Sequence, residues 1–284
     1  MLLSLKNLLL MICLISSSSL AHCTSAIAID QKTGGVLVKE KADEVLYPAS
    51  LTKMMTAYIV FDHLKKKSLK WNQKLYVSES AASKAPSKLG LKPGEYVSLK
   101  DALLTMVMKS ANDSATVLAE KIGGSEENFA KMMTKKARSF GMRNTRFRNC
   151  TGLHAIDHVS TASDMAILAR RVINDFPEYT HIFGLKSFKY KDEWIHNTNK
   201  LLHSSPEIAG IKTGYTNYAG YNLASLAYRK GKRVITIVMH APTSDERYEK
   251  SQELIDRAFA NMRLQVSAPK LSHKYTNLNA HQSI

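Results

Sequence analysis

Cysteine is scarce in this chain, which contains three in 284 residues. None of them has zinc-finger spacing, and no recognisable motif places a base beside Cys150. The sequence therefore indicates neither a zinc module nor a cysteine nucleophile. An oxidising compartment would permit Cys23 and Cys150 to form a disulfide. We expect two unpaired thiols instead, because Cys23 would lie at the very start of the chain once a predicted signal at residues 1–21 is removed, where the backbone is often poorly ordered.

Acidic residues are also few, since 24 carboxylates stand against 40 lysines and arginines and leave a formal net charge of +16. Such a surface prefers anionic neighbours. The chain has no nucleic-acid-binding motif, and we expect no nucleic-acid partner. An anionic cell wall, an acidic membrane face and the carboxylates of a substrate all fit this charge. A solvated lysine-rich surface with no specific partner fits it equally well.

No apolar run is long enough to cross a bilayer. Lys6 precedes a short apolar stretch at 8–15, and Ser19-Leu20-Ala21 carries the small residues of a cleavage site. These features predict a secretory signal over residues 1–21 that is removed from the mature protein. A lipoprotein site at Cys23 is disfavoured, because His22 stands where a small residue is expected. Residues 263–284 are polar, and we expect a disordered tail there.

Three short clusters, in chain order, carry the chemistry: Ser50-Leu51-Thr52-Lys53, Ser110-Ala111-Asn112 and Lys212-Thr213-Gly214. A serine and a lysine three positions apart share one helix face, where the amine can take the hydroxyl proton. Pro48 and the apolar run after Lys53 predict that helix. An ammonium and a hydroxyl on a strand edge suit a carboxylate, and the glycine allows close approach of an extended peptide.

Two similar clusters are coincidental. Ser267-Ala268-Pro269-Lys270 repeats the serine–lysine spacing, but Pro269 interrupts it and its surroundings are polar. Lys32-Thr33-Gly34 lies between two short apolar runs, which predicts the turn of a β-hairpin rather than a binding strand.

The remaining pattern predicts an α+β chain. A hairpin and the Ser50 helix come first, and helices dominate the region from about 66 to 205. Helix starts are predicted at Ser98, Ser125 and Thr161. Strands return from Ile208, and the domain ends in an amphipathic helix that places one apolar stripe against the sheet. That stripe comprises Leu254, Ile255, Ala258, Phe259 and Met262.

The ordered clusters resemble those of the serine penicillin-binding proteins and β-lactamases. Within that superfamily the chain is similar to the low-molecular-weight D-alanyl-D-alanine carboxypeptidases of the serine peptidase S11 family. The supporting stretches are 47–56, 91–94, 109–113, 161–166 and 210–216. The resemblance implies a β-lactamase/transpeptidase-like sandwich, in which helices flank an antiparallel sheet and a helical lobe is inserted at about 66–205. Residues 22–262 would form this penicillin-binding catalytic domain.

The resemblance also implies roles for individual residues. Ser50 would be the nucleophile, Lys53 its base in a partly neutral state that burial and Lys212 favour, and Ser110 a proton relay. Asn112 would hold a substrate carbonyl, and the backbone N–H groups of Ser50 and Tyr215 would form the oxyanion hole. The remaining contacts with substrate would come from Lys212, Thr213, Gly214 and Arg247. Arg247 has an alternative interpretation as a solvated surface group at the head of a helix.

The expected reaction is removal of the terminal D-alanine from peptidoglycan stem peptides, with no metal and no cofactor. Endopeptidase action on cross-links is a close variant. A β-lactamase is an alternative, but the chain has no Glu-x-x-Leu-Asn element to activate water, so β-lactams are expected to act as inhibitors. A non-catalytic wall-binding module is a third alternative. His154 and His158 are expected to be loop histidines at the rim of the site. The short C-terminal segment leads us to expect a soluble periplasmic enzyme with no integral membrane segment.

Overall fold

The computed structural model describes residues 24–267. Its strands are β1 (Ser25–Asp30), β2 (Val36–Glu40), β3 (Lys74–Tyr76), β4 (Tyr96–Ser98), β5 (Ser187–Tyr190), β6 (Glu193–His196), β7 (Ile208–Thr216), β8 (Gly220–Arg229) and β9 (Lys232–Ala241). Its α-helices are α1 (Lys53–Lys65), α2 (Glu79–Ser83), α3 (Leu99–Met108), α4 (Asn112–Gly123), α5 (Glu126–Ser139), α6 (Ala162–Asp175), α7 (Leu201–Ser204) and α8 (Ser244–Ser267). Two 3-10 segments add to these, at Ala49–Thr52 and Pro177–Gly184.

A five-stranded antiparallel sheet has the order β2-β1-β9-β8-β7. Because β1 pairs with β9, the first hairpin and the last three strands form one sheet, and everything between β2 and β7 is inserted. The predicted hairpin is confirmed, with Lys32-Thr33-Gly34 in its turn. Gly34 has a φ of 79° there, which glycine adopts without strain. β7 lies at the end of the sheet order.

The sheet separates two hydrophobic cores because successive strand residues point to opposite faces. On one face the sheet packs against α8; this layer includes Ala26, Ala28, Leu223, Ala227, Val234 and Val238. On the other face it packs against the helical lobe, with α6 in direct contact; this layer includes Ile27, Ile29, Ala224, Leu226, Ile235 and Ile237. The sequence alternation thus produces the predicted sandwich of sheet and helices.

The inserted region is helical as predicted, and its helices begin at the predicted caps. The side chains of Ser98, Ser125 and Thr161 accept a hydrogen bond from the backbone N–H three residues later. The region also contains two two-stranded sheets, β3–β4 and β5–β6, which the sequence pattern did not predict. Strands of three or four residues are too short to show a period of two, so the helical description was incomplete.

The terminal helix packs on the sheet through the predicted stripe, which is buried throughout. Its predicted end at Met262 is too early, because α8 continues to Ser267. The stretch 263–267 contains no proline or glycine, so no residue in it stops the helix. The rest of the predicted tail, the predicted signal at 1–21 and Cys23 lie outside residues 24–267. Within that range, no helix has the length and apolarity to cross a membrane.

Replacement of Leu254 by alanine tests how much the α8 layer stabilises the domain. Leu254 is fully buried, so Leu254→Ala should lower the free energy of unfolding by about 2–5 kcal/mol through lost contacts and a residual cavity. Glu249→Ala is the matched control on the exposed side of α8, and it should change stability by less than about 0.5 kcal/mol. Urea unfolding followed by circular dichroism measures both. Equal effects of the two substitutions would contradict this assignment of the buried face.

Candidate active site

Ser50 and Lys53 lie at the start of the first helical segment. The 3-10 turn Ala49–Thr52 leads directly into α1, and the backbone N–H of Leu51 donates to the carbonyl of Pro48 at 3.1 Å. Ser50 is half-buried, whereas Lys53 is 1% exposed. Lys53 Nζ lies 2.9 Å from Ser50 Oγ. The three-residue spacing therefore brings amine and hydroxyl into contact, as the sequence predicts.

Two further acceptors surround the amine of Lys53. Its Nζ donates to Asn112 Oδ1 at 2.8 Å and to the carbonyl of Thr151 at 2.6 Å. Burial lowers the pKa of Lys53 from 10.5 to about 7, while the negative charges of Asp113 and Glu126 act in the opposite direction. Near neutral pH a large fraction of this side chain is therefore the neutral amine, which can accept a proton.

Ser110 lies in the turn between α3 and α4, and Asn112 is the first residue of α4. Ser110 has a φ of 64°, and its buried Oγ has no hydrogen-bond partner within the described residues. The backbone N–H of Asn112 donates to the carbonyl of Ser87 at 2.7 Å, and its Nδ2 donates to the carbonyl of Ala85 at 3.1 Å. One hydrogen of the amide nitrogen is thus used by Ala85, and the second remains for another acceptor.

Strand β7 brings Lys212, Thr213 and Gly214 to the Ser50 turn. A Cβ at Gly214 would lie 3.0 Å from the backbone nitrogen of Ser50, so the absence of a side chain permits this close approach. The hydroxyls of Thr213 and Thr198 are 2.7 Å apart. Lys212 is buried, and burial together with the charges of Lys53 and Arg247 lowers its pKa well below the ordinary value.

Arg247 is buried at the first turns of α8, so its interpretation as a solvated surface group is wrong. Its guanidinium donates to the carbonyl of Asn222 at 3.4 Å and to Ser244 Oγ at 3.2 Å. It also lies over the rings of Tyr248 and Tyr221, at 4.4 Å and 5.5 Å from their centroids. The aromatic faces stabilise the cation in a position near Lys212.

A cleft of about 340 Å³ opens over Ser50. Its lining residues are Ser50, Pro86, Ser87, Asn112, Gly152, Leu153, His154, Tyr215, Thr216, Asn217 and Tyr218. His154 stacks on Tyr218 at a centroid distance of 4.0 Å, which places it at the predicted rim. The same prediction is wrong for His158, which is 2% exposed.

His158 lies behind the Ser50 turn. Its Nε2 is 2.8 Å from Thr52 Oγ1, and its Nδ1 accepts from the backbone N–H of Arg148 at 3.1 Å. Burial lowers its pKa to about 3, with a further contribution from the charge of Lys53. His158 is therefore neutral, and its ring supports the turn that carries the nucleophile candidate.

Sequence reasoning missed the segment 149–152. Asn149 Oδ1 accepts from the backbone N–H groups of Thr151 and Gly152, which shapes the turn that presents the Thr151 carbonyl to Lys53. Gly152 has a φ of 83°, and a Cβ there would lie 1.8 Å from the carbonyl oxygen of Ala49. The Asn-x-Thr-Gly pattern signals a turn, but nothing in it shows which side chain the turn contacts.

Cys150 within this segment is a free, buried cysteine in the part of the chain that the structure describes. Burial raises the pKa of its thiol well above the ordinary value, so the thiol stays protonated. The expectation that Cys150 is not a nucleophile agrees with this environment.

Residues 15–243 match the model of the peptidase S11 family, described as D-alanyl-D-alanine carboxypeptidase. The chain belongs to this family. It is 39% identical over 250 residues to the D-alanyl-D-alanine carboxypeptidase DacF of Bacillus subtilis, an alignment that covers 86% of this chain and 64% of DacF. The chain thus spans less than two thirds of the length of this relative.

Solved structures in the family share the fold. Penicillin-binding protein 5 of Haemophilus influenzae superposes with a TM-score of 0.80 at 35% identity, covering 83% of this chain and 70% of that one. The ampicillin-bound form of penicillin-binding protein D2 of Listeria monocytogenes gives a TM-score of 0.77 at 30% identity, covering 84% of this chain and 98% of that one. The sandwich implied by the S11 resemblance is confirmed.

The titration of Lys53 gives a direct test of the site electrostatics. In protein labelled with ¹³C at lysine Cε, the Lys53 signal should titrate with a midpoint near pH 7, because burial disfavours the ammonium form. The signal is assigned by its loss in Lys53→Met. The amine is then mostly protonated below that pH and mostly neutral above it. A midpoint near the ordinary lysine value of 10.5 would contradict the buried environment described for this side chain.

Proposed function

We propose that this protein is a serine-type D-alanyl-D-alanine carboxypeptidase that removes the terminal D-alanine from peptidoglycan stem peptides. The observation that carries the proposal is the contact of the buried Lys53 amine with Ser50 Oγ at 2.9 Å. A pKa of about 7 supplies the neutral amine that a general base requires. Membership in the S11 family supports the choice of substrate.

In the acylation step, Ser50 Oγ attacks the carbonyl carbon of the penultimate D-alanine while Lys53 Nζ takes the hydroxyl proton. The developing oxyanion accepts hydrogen bonds from the backbone N–H groups of Ser50 and Tyr215. Such donors contribute about 3 kcal/mol to transition-state stabilisation in acyl-transfer enzymes. The contact of Gly214 with the backbone nitrogen of Ser50 supports this pairing, because it brings the two segments together.

The tetrahedral intermediate collapses when the C–N bond breaks. The proton held by Lys53 passes through the hydroxyl of Ser110 to the departing nitrogen, and D-alanine leaves. The buried Ser110 hydroxyl, unpartnered within the described residues, suits this relay. Water then attacks the ester carbonyl, its proton returns to Ser50 Oγ by way of Lys53, and the shortened stem peptide leaves as a carboxylate.

The free carboxylate of the substrate binds to a group of cations at the β7 end of the cleft. Lys212 and Arg247 provide positive charge, and the hydroxyl of Thr213 provides a directed donor. Asn112 holds a backbone carbonyl of the peptide with its amide hydrogen. Both side chains are buried, and burial lowers the pKa of each, so an anion there would stabilise their charged forms as ion pairs. The energy gained from these ion pairs supports a preference for peptides with a free C-terminus.

β-Lactams acylate Ser50 by the same attack, since their ring amide occupies the place of the scissile peptide bond. The similarity to an ampicillin-bound penicillin-binding protein supports this part of the proposal. The chain has no Glu-x-x-Leu-Asn element. The adduct should therefore persist, and the antibiotic should act as an inhibitor rather than as a substrate.

The reaction needs access to the cell wall, and we propose that the protein is exported with residues 1–21 as its signal. The basic residue, apolar stretch and small-residue cleavage site in the first 21 positions support export. The excess of basic residues favours electrostatic attraction to anionic wall polymers.

The activity is tested with purified protein, a fluorescent penicillin and a pentapeptide that ends in D-Ala-D-Ala. We expect a stable adduct and release of D-alanine, both abolished in Ser50→Ala. Lys53→Met should slow acylation by roughly 10²–10⁴-fold because the base is removed. Below the Lys53 pKa of about 7, the acylation rate should fall roughly tenfold per pH unit as the amine becomes protonated.

Lys135→Met is the matched control for this series, because Lys135 is an exposed lysine on α5, and it should retain the full acylation rate. Rapid turnover of penicillin would contradict the proposal in favour of a β-lactamase. Failure to form any adduct would contradict it in favour of a binding module.

Export is tested separately by expression of the full chain in a bacterial host. N-terminal sequencing of protein recovered from outside the cytoplasm should begin at His22, because Ala21 ends the predicted cleavage site. Replacement of Ala21 by a bulky residue should block processing. Retention of the unprocessed chain in the cytoplasm would contradict export.

A further inference from the structure

Glu126, the first residue of α5, is bound to two different segments next to the active site. Its side chain is 16% exposed. Oε2 accepts from Lys84 Nζ at 2.6 Å, and Oε1 accepts from the backbone N–H and the thiol of Cys150 at 3.3 Å and 3.2 Å. One carboxylate therefore joins the segment at Lys84 to the segment at Cys150.

Both segments hold residues of the site. Next to Lys84, the carbonyls of Ala85 and Ser87 accept from the side chain and the backbone of Asn112. Next to Cys150, the carbonyl of Thr151 accepts from Lys53 Nζ at 2.6 Å. The two acceptors of the Lys53 amine other than Ser50 thus depend on the segments that Glu126 joins.

Cys150 connects Glu126 to the helices that carry the site. Its carbonyl accepts from Thr56 Oγ1, one turn after Lys53 on α1, at 2.8 Å. Its thiol lies 3.7 Å from Thr116 Oγ1, and Thr116 Oγ1 donates to the carbonyl of Asn112 on α4. A displacement of Cys150 therefore reaches both Lys53 and Asn112 within one turn of helix.

We propose that Glu126 is a positioning residue for the acylation reaction, which holds the Ala85–Ser87 and Cys150–Thr151 segments in place and sets the electrostatic environment of the Lys53 amine. This inference rests on the proposed function. Glu126 touches neither Ser50 nor the cleft floor, and it acts through Cys150 and Lys84. None of the sequence clusters includes it.

Ionisable side chains on several neighbouring elements affect the protonation of the Lys53 amine. Glu126 on α5 and Asp113 on α4 favour the ammonium form, while burial opposes it more strongly. Asp113 accepts from the backbone N–H groups of Leu89, Gly90, Leu91 and Ser114, so its charge is fully engaged in loop contacts. On the opposite side, burial lowers the pKa of Lys212 on β7 and so disfavours its ammonium form, and His158 is neutral.

The decisive variant is Glu126→Gln, which keeps the size of the side chain and removes its charge. The acylation rate by a fluorescent penicillin is measured across the pH range that brackets the Lys53 titration. The plateau rate should fall roughly tenfold, because the two segments lose the ion pair that joins them. The acid limb of the profile should move to lower pH by roughly half a unit, because the Lys53 ammonium loses a stabilising charge.

Glu127→Gln is the matched control, since it removes the same charge at the next position of the same helix. Glu127 pairs with Lys131 on the surface, and its side chain is 79% exposed. This variant should leave both the plateau and the limb unchanged. Glu126→Asp keeps the charge but shortens the reach, so it should lower the plateau and leave the limb in place.

Lys84→Met provides a second test that does not depend on the stability of the glutamine variant. Loss of Lys84 leaves the Glu126 carboxylate without its cation, so the acid limb should move to higher pH, opposite to Glu126→Gln. Thermal unfolding of each variant shows that the rates belong to folded protein. A purely structural role would lower the rates of both variants without displacing their limbs in opposite directions.

An acid limb that stays at its wild-type position in both Glu126→Gln and Lys84→Met overturns the inference, whatever happens to the plateau rates. The proposed function stands in that case, because it depends on acylation of the wild-type protein and its loss in Ser50→Ala. Conversely, wild-type protein that forms no adduct contradicts the proposed function itself.

Discussion

The arrangement of the site depends on the burial of one amine. Lys53 is enclosed on all sides, and no carboxylate of the described chain forms an ion pair with it. A full charge in this position is costly, which is the physical reason for its pKa of about 7. Three oxygen acceptors, from Ser50, Asn112 and Thr151, bond the ammonium form instead of a counter-ion, and in the neutral form the nitrogen can accept a hydrogen bond from the Ser50 hydroxyl. Burial alone therefore accounts for a partly neutral amine beside the Ser50 hydroxyl.

The architecture brings these three acceptors together from distant parts of the sequence. The sheet fixes β7 beside the turn at Ser50, and the inserted lobe packs α4 and the segment 149–152 around α1. Two glycines make the close approaches possible. A side chain at Gly214 would meet the backbone of Ser50 and Leu51, and one at Gly152 would overlap the carbonyl of Ala49. Backbone proximity, more than side-chain chemistry, therefore sets how tightly the site is assembled.

The sequence predicts the parts of the site that depend on side-chain identity at a fixed spacing. The contact between Ser50 and Lys53 follows from helical geometry, and the position of the α8 stripe follows from its periodicity. The carbonyl of Thr151 could not be predicted in the same way, because every residue has a carbonyl and only the fold decides which one meets Lys53. The burial of Arg247 and of His158 was missed for a related reason, since both side chains are polar and their environments come from distant segments.

Under the proposed function, the same reasoning accounts for a preference for peptides with a free carboxylate. Lys212 and Arg247 are both buried, and burial together with the charge of Arg247 lowers the pKa of Lys212. An approaching carboxylate reverses this balance, because it stabilises both cations in a region of low dielectric. A peptide without that group would leave the two buried side chains without a counter-ion, so it would gain little from entering the cleft. In the proposed reaction the discrimination would come from the electrostatic cost of charging two buried side chains, which a carboxylate between them would offset.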